Sequence, residues 1–572
     1  VTDLLAGPGE FPGEVLLTWT ATGDDGLVGT ASEYEIKISS GAINSGNFAA
    51  ATDLEAYINE PLPQISATLE SLYVFGLDPA QTFFFALRAI DDASNQSGVS
   101  NSPSTMPAAG TLLDPDLGYN VYYGNLHSHT SYSDGDQTPA DAYNYARNTA
   151  PTPLDFMAVT DHNHAGAGMN LPDYHLGLAQ AAAANSDGNF VAIYGQEWGL
   201  STNGHANIFE SPVLYGWEGG NYDVFVAEGD YASLYAAVKA NPPASYPPIV
   251  MWCHPQSSDF SNLAVTGDSP DVVHLITLVN GPAFSVATDE SDIGNTGFDD
   301  TYQDALRKGH RVSPTADQDN HNSNWGASTE SRTAVLADTL TKSGILGALS
   351  NGRNYATQDH NVVVHMSVNG HAMGEAFTQP DGATIVIEVI DPDGADSTAM
   401  IELYRGKTDS VTATRVAFNE GSSSFAWRET ETFAAGTEMH YYARIRQGDA
   451  QQIWTAPAYV TYDVSTEVAQ AADVVPPFSR IRFESVRPNP TRGRTFVSFA
   501  LPARDDDVSV RVYDVAGRAV RTLLHDSLEA GTRTIEWDGR TERGEEATAG
   551  VYFLHLETGR HGNATTKMTV LR

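Results

Sequence analysis

The sequence predicts a multidomain chain of α/β plus β class, with one α/β segment flanked by three β-sandwich modules. Its 572 residues exceed what a single hydrophobic core can serve, so three to five domains are expected. From about Thr111 to His360, strand-like apolar runs alternate with helical ones, which implies a parallel sheet or barrel. Either side of it, the runs are short, alternating and broken by turn residues. Charge supplies a third sign. Pro477 to Arg572 hold 15 Lys and Arg against 13 Asp and Glu, whereas the preceding residues hold 16 against 59, and a step that abrupt marks a boundary.

The first module, residues 1–110, carries VLLTWTA (Val15 to Ala21), YEIKIS (Tyr34 to Ser39) and TFFFALRAID (Thr82 to Asp91), with turns such as GDDG (Gly23 to Gly26) between them. This reads as a β-sandwich. With Trp19 as its core tryptophan and the run from Gly76 to Ser97, it resembles a fibronectin type III module. In residues 111–360, TPADAYNYARN (Thr138 to Asn148) places Thr138 as N-cap and Pro139 at the first helical position. DYASLYAAVKA (Asp230 to Ala240) and FDDTYQDALRKGH (Phe298 to His310) repeat apolar residues at helical spacing.

Residues 361–467 return to β pattern in VVVHMSVNG (Val362 to Gly370), ATIVIEVIDPDG (Ala383 to Gly394), MIELYRG (Met400 to Gly406) and MHYYARIRQ (Met439 to Gln447), an accessory sandwich. A linker around Ala469 to Pro477 leads to the last module, residues 478–572. Its runs Ser485 to Pro502, Val508 to Leu523 and Gly550 to Gly559 resemble the C-terminal sorting domain of type IX secretion substrates, itself similar to the Ig-like part of flagellar hook-capping proteins. That resemblance implies a secreted or cell-surface bacterial protein that engages secretion machinery through this domain.

Other features agree with export. The chain begins at Val1 without Met or a leader, the expected look of a mature secreted form, and no apolar run is long enough to cross a bilayer, so no transmembrane segment is expected. The lone Cys253 makes no intrachain disulfide and leaves the redox compartment open. An acidic body with a net charge of −41 repels polyanions, so no nucleic acid partner is expected, although metal ions in a cleft would reverse the field locally.

The chemistry-bearing pattern lies in the α/β segment. Ten of the seventeen histidines fall between His127 and His321, most where an apolar run ends. Six pieces are capped in this way by His, Asp or Glu: Val121 to Gly135, Leu154 to His164, Phe190 to Trp198, Gly204 to Phe209, Ile249 to Pro255 and Arg311 to His321. His127 and His129, spaced i, i+2, turn to one side of an extended segment while Ser128 turns away. Asp134 follows in an SDG turn, either as a ligand or as a turn residue. His162 ends TDH, Glu197 ends the next run, His205 opens GHANIF, His254 precedes Pro255, and Asp319 and His321 repeat the i, i+2 spacing. Imidazoles with hard carboxylates suit Zn, Mn or Fe, and nine ligands suffice for two or three ions, with Glu197 as the bridging carboxylate.

In order, H-x-H…SDG, TDH, E, GH, HP and D-x-H resemble the PHP superfamily, named for polymerase and histidinol phosphatase domains, and most of all the branch that includes carbaryl hydrolase. The resemblance implies a distorted (β/α)7 barrel with two or three divalent metal ions at its C-terminal mouth. It assigns His127, His129, Glu197 and Asp319 to a first site, Glu197, His205 and His254 to a second, and Asp134, His162 and His321 to a third. Asp317 also precedes His321, and spacing favours Asp319 as ligand with Asp317 as its partner.

Neighbouring residues receive plainer readings. His274 reads as a hydrogen-bonded core residue, Asp161 and His164 as supports beside His162, His310 as a cation at a helix end, and Cys253 as a small buried hydrophobe. Arg353, in the NGRNYAT turn, resembles a recurring element of the same branch and carries two readings, a clamp on an anionic or carbonyl oxygen or a tie to the following sandwich. Arg332 is singled out with it as one of the few cations of this segment.

These expectations describe a secreted metal-dependent hydrolase in which a metal-bridging hydroxide cleaves phosphoester or phosphodiester bonds of a small-molecule substrate. Glu197, His162 and Arg353 are its expected catalytic residues, with His162 or His164 close enough to protonate a leaving group. Carboxylic ester or carbamate hydrolysis at the same site is the alternative. A non-catalytic surface binding protein is the reading from another class, and the intact ligand set argues against it.

Overall fold

A computed structural model gives the architecture. It describes residues 1–9, 13–24, 28–54, 63–75, 77–108, 115–379, 382–393, 397–429, 431–463, 481–487, 491, 495–501, 504–515, 518–528, 531–543, 547–559 and 563–570. The expected boundaries near 110 and between 467 and 478, the linker Ala469 to Pro477, the second half of the GDDG turn, Gly394 to Asp396 and parts of the C-terminal runs lie outside them. Residues 1–368 and 372–465 make one unit, and residues 466–572, with 369–371, a second.

The alternating runs of the N-terminal segment become β1 (Leu5–Pro8), β2 (Val15–Thr20), β3 (Glu33–Ser39), β4 (Thr52–Asp53), β5 (Leu69–Val74), β6 (Phe83–Ile90) and β7 (Ser104–Thr105). They form two antiparallel sheets, β1-β2-β5 and β4-β3-β6-β7. Alternate side chains of β2 are buried, and Leu17 and Trp19 from one sheet pack with Tyr34, Ile36, Phe85 and Leu87 of the other. Trp19 meets Tyr34 edge-on at 5.3 Å.

The central segment supplies β8 (Asn120–Asn125), α1 (Pro139–Asn148), β9 (Phe156–His162), α2 (Leu171–Ala184), β10 (Val191–Leu200), β11 (Gly204–Phe209), β12 (Tyr215–Gly216), β13 (Val224–Phe225), α3 (Tyr231–Ala240) and β14 (Val250–Cys253). The short α4 (Asp259–Leu263) and α5 (Ser269–Val272) follow, then β15 (Val273–Asn280), α6 (Asp299–Arg307), β16 (Ser313–Asp317), β17 (Arg332–Ala337), α7 (Lys342–Ser350) and β18 (Asn354–Thr357). Thr138 and Asp141 form a reciprocal capping box at α1, with Pro139 in its first turn. The strands pair in the order β16-β15-β14-β11-β10-β9-β8-β17-β18.

This path departs from an uninterrupted run of β/α repeats. Pairs β8-β9, β9-β10, β14-β15 and β15-β16 are parallel, but β10-β11, β11-β14, β8-β17 and β17-β18 are antiparallel. Residues 201–203 are too few for a crossover, so β10 and β11 form a hairpin and β11 runs backwards through the sheet. Among the described residues the backbone ladder stays open between β16 and β17. Side chains bridge that gap: Thr333 Oγ1 accepts from Ala316 N–H at 3.0 Å and donates to Ala316 O at 3.1 Å, and Asn354 Nδ2 donates to Pro314 O at 2.6 Å.

The accessory segment shares this sheet. Strand β18 pairs with Gln452–Thr455, which leads on to Thr437–Gln447, Thr398–Lys407 and Val411–Glu420, so the sheet crosses the expected boundary at 360. A separate antiparallel sheet of Val363–Val368, Thr384–Ile390 and Ser424–Arg428 packs Val364, Ile385, Ile387 and Phe425 against Leu403, Tyr441 and Ile453. In the second unit, Arg482–Arg487, Thr495–Leu501 and Gly531–Trp537 form one sheet, and Ala519–Leu528, Asp505–Asp514, Gly550–Thr558 and Asn563–Val570 the other. Val497, Val512, Trp537, Leu554 and Met568 are buried in its core.

Gly124 sits opposite Phe156 where β8 meets β9, and a Cβ there would lie 2.3 Å from Phe156 O. Gly124→Ala is therefore expected to lower unfolding stability by about 1–3 kcal/mol in a denaturant titration. A change within about 0.5 kcal/mol would mean that β8 is not held this tightly.

Candidate metal centre

Strand direction and register bring the nine expected residues to one rim. Glu197 near the end of β10 lies opposite His162 at the end of β9. Because β11 runs backwards, His205 at its start reaches the same rim, opposite Cys253 and so beside His254. Beyond β8 the chain continues extended and pairs with the segment after β16: His129 N–H donates to Asn320 O at 2.8 Å and Asp319 N–H to His127 O at 2.9 Å. Ser128 turns away and donates its hydroxyl to Ala158 O at 2.7 Å, leaving His127 and His129 on one side.

Glu197, 1% exposed, is the hub. Its Oε2 lies 3.0 Å from His162 Nδ1, 3.2 Å from His129 Nε2 and 3.3 Å from His127 Nε2. Its Oε1 lies 2.9 Å from His205 Nδ1 and 3.3 Å from His254 Nε2. Asp319 Oδ1 lies 3.1 Å from His129 Nε2 and 3.3 Å from His127 Nε2. Asp134 Oδ1 is 3.5 Å from His321 Nε2 and 3.9 Å from both His129 Nδ1 and His162 Nε2. The sets within reach of a single ion are His127, His129 and Asp319; His127, Glu197 and His254; His162, Glu197 and His205; and His129, Asp134, His162 and His321. His129 thus reaches the Asp134 group, and His162 faces both Glu197 and Asp134.

These atoms fit divalent ions. Bonds of 2.0–2.1 Å to N and O ligands place neighbouring donors about 2.9 Å apart in an octahedron and about 3.3 Å apart in a tetrahedron. The contacts around Glu197 span that interval. His162 Nδ1, His205 Nδ1 and Glu197 Oε2 are buried without a hydrogen bond, so they sit at hydrogen-bonding distance without its geometry. The donors are imidazoles and carboxylates only. Cys253 is buried, its thiol pushed up by burial, and its Sγ lies 3.7 Å from Met251 O.

Electrostatics follow from burial opposed by proximity. Burial alone would raise the Glu197 carboxyl, but His205, His127 and His162 hold it well below the usual range, and His127 and His129 do the same for Asp319. Asp134 is likewise lowered, against burial, by His321 and His162. Burial disfavours charge on His129 and His205, yet Asp319 and Glu197 raise the first and Glu197 the second. For His162 burial wins and pushes it down to about 3.

A further ring of groups fixes the donors. Asp161 accepts from Thr130 N–H at 2.7 Å, Ser133 Oγ at 2.8 Å and Tyr194 OH at 3.1 Å, and so anchors the loop carrying His129 and Asp134. Asp317 accepts from Leu126 N–H at 2.7 Å and Thr315 Oγ1 at 2.6 Å, outside the cluster, which leaves Asp319 as the carboxylate within it. His321 Nδ1 donates to Asp319 O at 2.9 Å, so its Nε2 lone pair is free to face Asp134. Asp319 and His254 hold φ of +53° and +31°, a conformation costly for residues with a Cβ. Sequence reasoning missed Asn280, whose Nδ2 donates to Asp319 Oδ2 at 3.1 Å. Its signal was a seventh apolar run, VVHLITLVN, ending at the same rim in an amide.

Two readings change. Arg353 is not at the rim: its carbonyl accepts from Leu336 N–H at 2.9 Å, and Leu336 lies opposite Val121, six residues before His127. At about 3.3 Å per residue that is about 20 Å away, because β17 and β18 reverse direction. Its guanidinium instead stacks 5.1 Å from the Tyr119 ring. His310 is no helix-end cation, since burial pushes it down to about 4 and its Nε2 bonds Leu263 O at 3.2 Å. His274 keeps its structural reading, its ring meeting the backbone of Asp271 and Pro248. Arg332 is buried against Glu290 and donates to Thr329 O and Ser331 O at 2.8 and 2.9 Å, a structural role.

Residues 488–562 match the FlgD Ig-like domain family. Among solved structures, a two-domain protein containing a predicted PHP-like metal-dependent phosphoesterase from Bacteroides vulgatus is 16% identical, covering 62% of this chain and 100% of that one, with a TM-score of 0.31. Dimeric latent PorU from Porphyromonas gingivalis is 15% identical over 37% of this chain and 20% of that one, with a TM-score of 0.21. No curated protein matches the chain.

With the His129 imidazole raised well above its ordinary range and His205 also raised, binding a metal must displace protons from these rings. Affinity for Zn or Mn is expected to rise with pH through those raised values, with proton release visible by calorimetry in buffers of different ionisation enthalpy. Identical apparent enthalpies in all buffers would contradict this. Asn280→Ala is expected to weaken metal affinity about ten- to a hundredfold in chelator competition, by freeing Asp319.

Proposed function

We propose that the chain is a metal-dependent hydrolase that cleaves phosphoester or phosphodiester bonds of small molecules. The carrying observation is that Glu197 belongs to two ligand sets at once, one with His127 and His254 and one with His162 and His205. That is the arrangement of a carboxylate bridging two ions. When bound, such ions supply Lewis acidity and an activated water.

The chain's own residues do the rest. Asp319, His127 and His129 hold the deep end of the cluster, while Asp134, with a side chain 42% exposed, and His254, 26% exposed, border its open side. Three carboxylates against two or three divalent ions leave a net positive site within an acidic body, which favours an anionic ester over a neutral one. Carboxylic ester or carbamate hydrolysis at the same residues remains the alternative chemistry, and metal binding without turnover would mark a binding protein.

We further propose that the C-terminal sandwich serves in secretion of a bacterial cell-surface or extracellular protein, a reading supported by the FlgD Ig-like match over residues 488–562.

A panel of p-nitrophenyl phosphomonoester, phosphodiester and carboxyl esters, assayed with Zn, Mn and Fe, tests the reaction. Phosphoester turnover that EDTA abolishes and metal restores is expected, and turnover of carboxyl esters alone would replace this reading with the alternative. Glu197→Ala is expected to lower kcat by about a thousandfold or more with an unchanged far-ultraviolet circular dichroism spectrum, whereas Arg353→Ala stays within about twofold of wild type.

A further inference from the structure

The segment between β15 and α6 carries apolar side chains that the described residues leave exposed. Phe284 is 71% exposed and Val286 is 82% exposed. Leaving a phenyl ring in water forgoes the gain of burying it, so a ring fixed there suggests something that arrives to cover it. Phe284 is not on a loose tether. The adjacent Ala283 O accepts from His321 N–H at 2.9 Å, Ser285 O accepts from Asn322 Nδ2 at 2.8 Å and Asn324 Nδ2 at 3.0 Å, and Ala287 O accepts from Asn324 Nδ2 at 2.6 Å. Gly281 lets the segment close on the chain after β16, since a Cβ there would fall 1.9 Å from Gln318 O.

The ring's position matters as much as its exposure. It lies 4.5 Å from the His321 ring, tilted 40°, and His321 in turn stacks 4.0 Å from His129. His321 faces Asp134, the most exposed carboxylate of the cluster, so Phe284 stands on the side where solvent reaches the donors.

We propose that Phe284 is a specificity-determining apolar shelf that receives the organic group of the ester, selecting substrates with an aryl or similarly broad apolar substituent over polar ones. The inference rests on the hydrolase reading above for the identity of the bound group. Aromatic side chains suit this task because a flat ring packs offset or edge-on against another ring with little loss of rotamer freedom.

The test compares phenylphosphonate with methylphosphonate, which share a head group and differ by the ring, in calorimetric titrations of the full chain reconstituted with Zn or Mn. Wild type is expected to bind phenylphosphonate about ten- to a hundredfold more tightly. Phe284→Ala collapses that preference to about threefold or less while methylphosphonate affinity stays within about twofold, and Phe284→Leu, still apolar, retains most of it. Equal affinities in wild type overturn the shelf, as does failure of both phosphonates to bind. A Phe284→Ala change that weakens both equally overturns it too, since the ring would then only support His321. A phenyl preference without turnover in the ester panel removes the proposed reaction and keeps the shelf, and turnover without the preference does the reverse.

Discussion

Removing a carboxylate from water costs several kcal/mol unless opposite charge or donors meet it on every side, and Glu197 is enclosed almost completely. That constraint organises the central segment. Five imidazoles surround its two oxygens, so four separate stretches of chain besides its own must end within hydrogen-bonding distance of one point. Parallel strands meet the requirement directly, because their C-terminal ends share an edge. The reversed strand β11 meets it by offering its first residues instead.

A second tier of buried carboxylates makes the arrangement rigid. Asp161 and Asp317 lie outside the cluster, and burial raises both. They accept from backbone N–H groups and hydroxyls of the segments bearing His129, Asp134 and His127. The outer carboxylates thus hold the frame, and Asn280 and Asn320 join it through their side-chain amides, the first on the Asp319 carboxylate and the second on the Ser328 hydroxyl.

Much of the rim was legible because its signals are local. An i, i+2 pair of histidines after an apolar run, or a glutamate ending one, reads the same in sequence as in space. What depends on direction or on distant partners was not legible. GHANIF carries its histidine first rather than last, a sign of reversed polarity that becomes plain only once β11 is seen between β10 and β14. The turn holding Arg353 looks alike at either end of a sheet, and only the antiparallel register of β17 and β18 places it far from His127. Spacing to His321 already separated Asp319 from Asp317, whereas the left-handed backbone of Asp319 is visible only in the fold. Phe284 gave no signal, since one apolar residue in a polar loop is ordinary.

Strand β18 has its far side occupied by Gln452–Thr455, a partner about a hundred residues downstream. The central segment is thus not a portable cassette. Excised at His360, it would present an unpaired row of amides and carbonyls along Asn354–Thr357, an invitation to sticky association between copies.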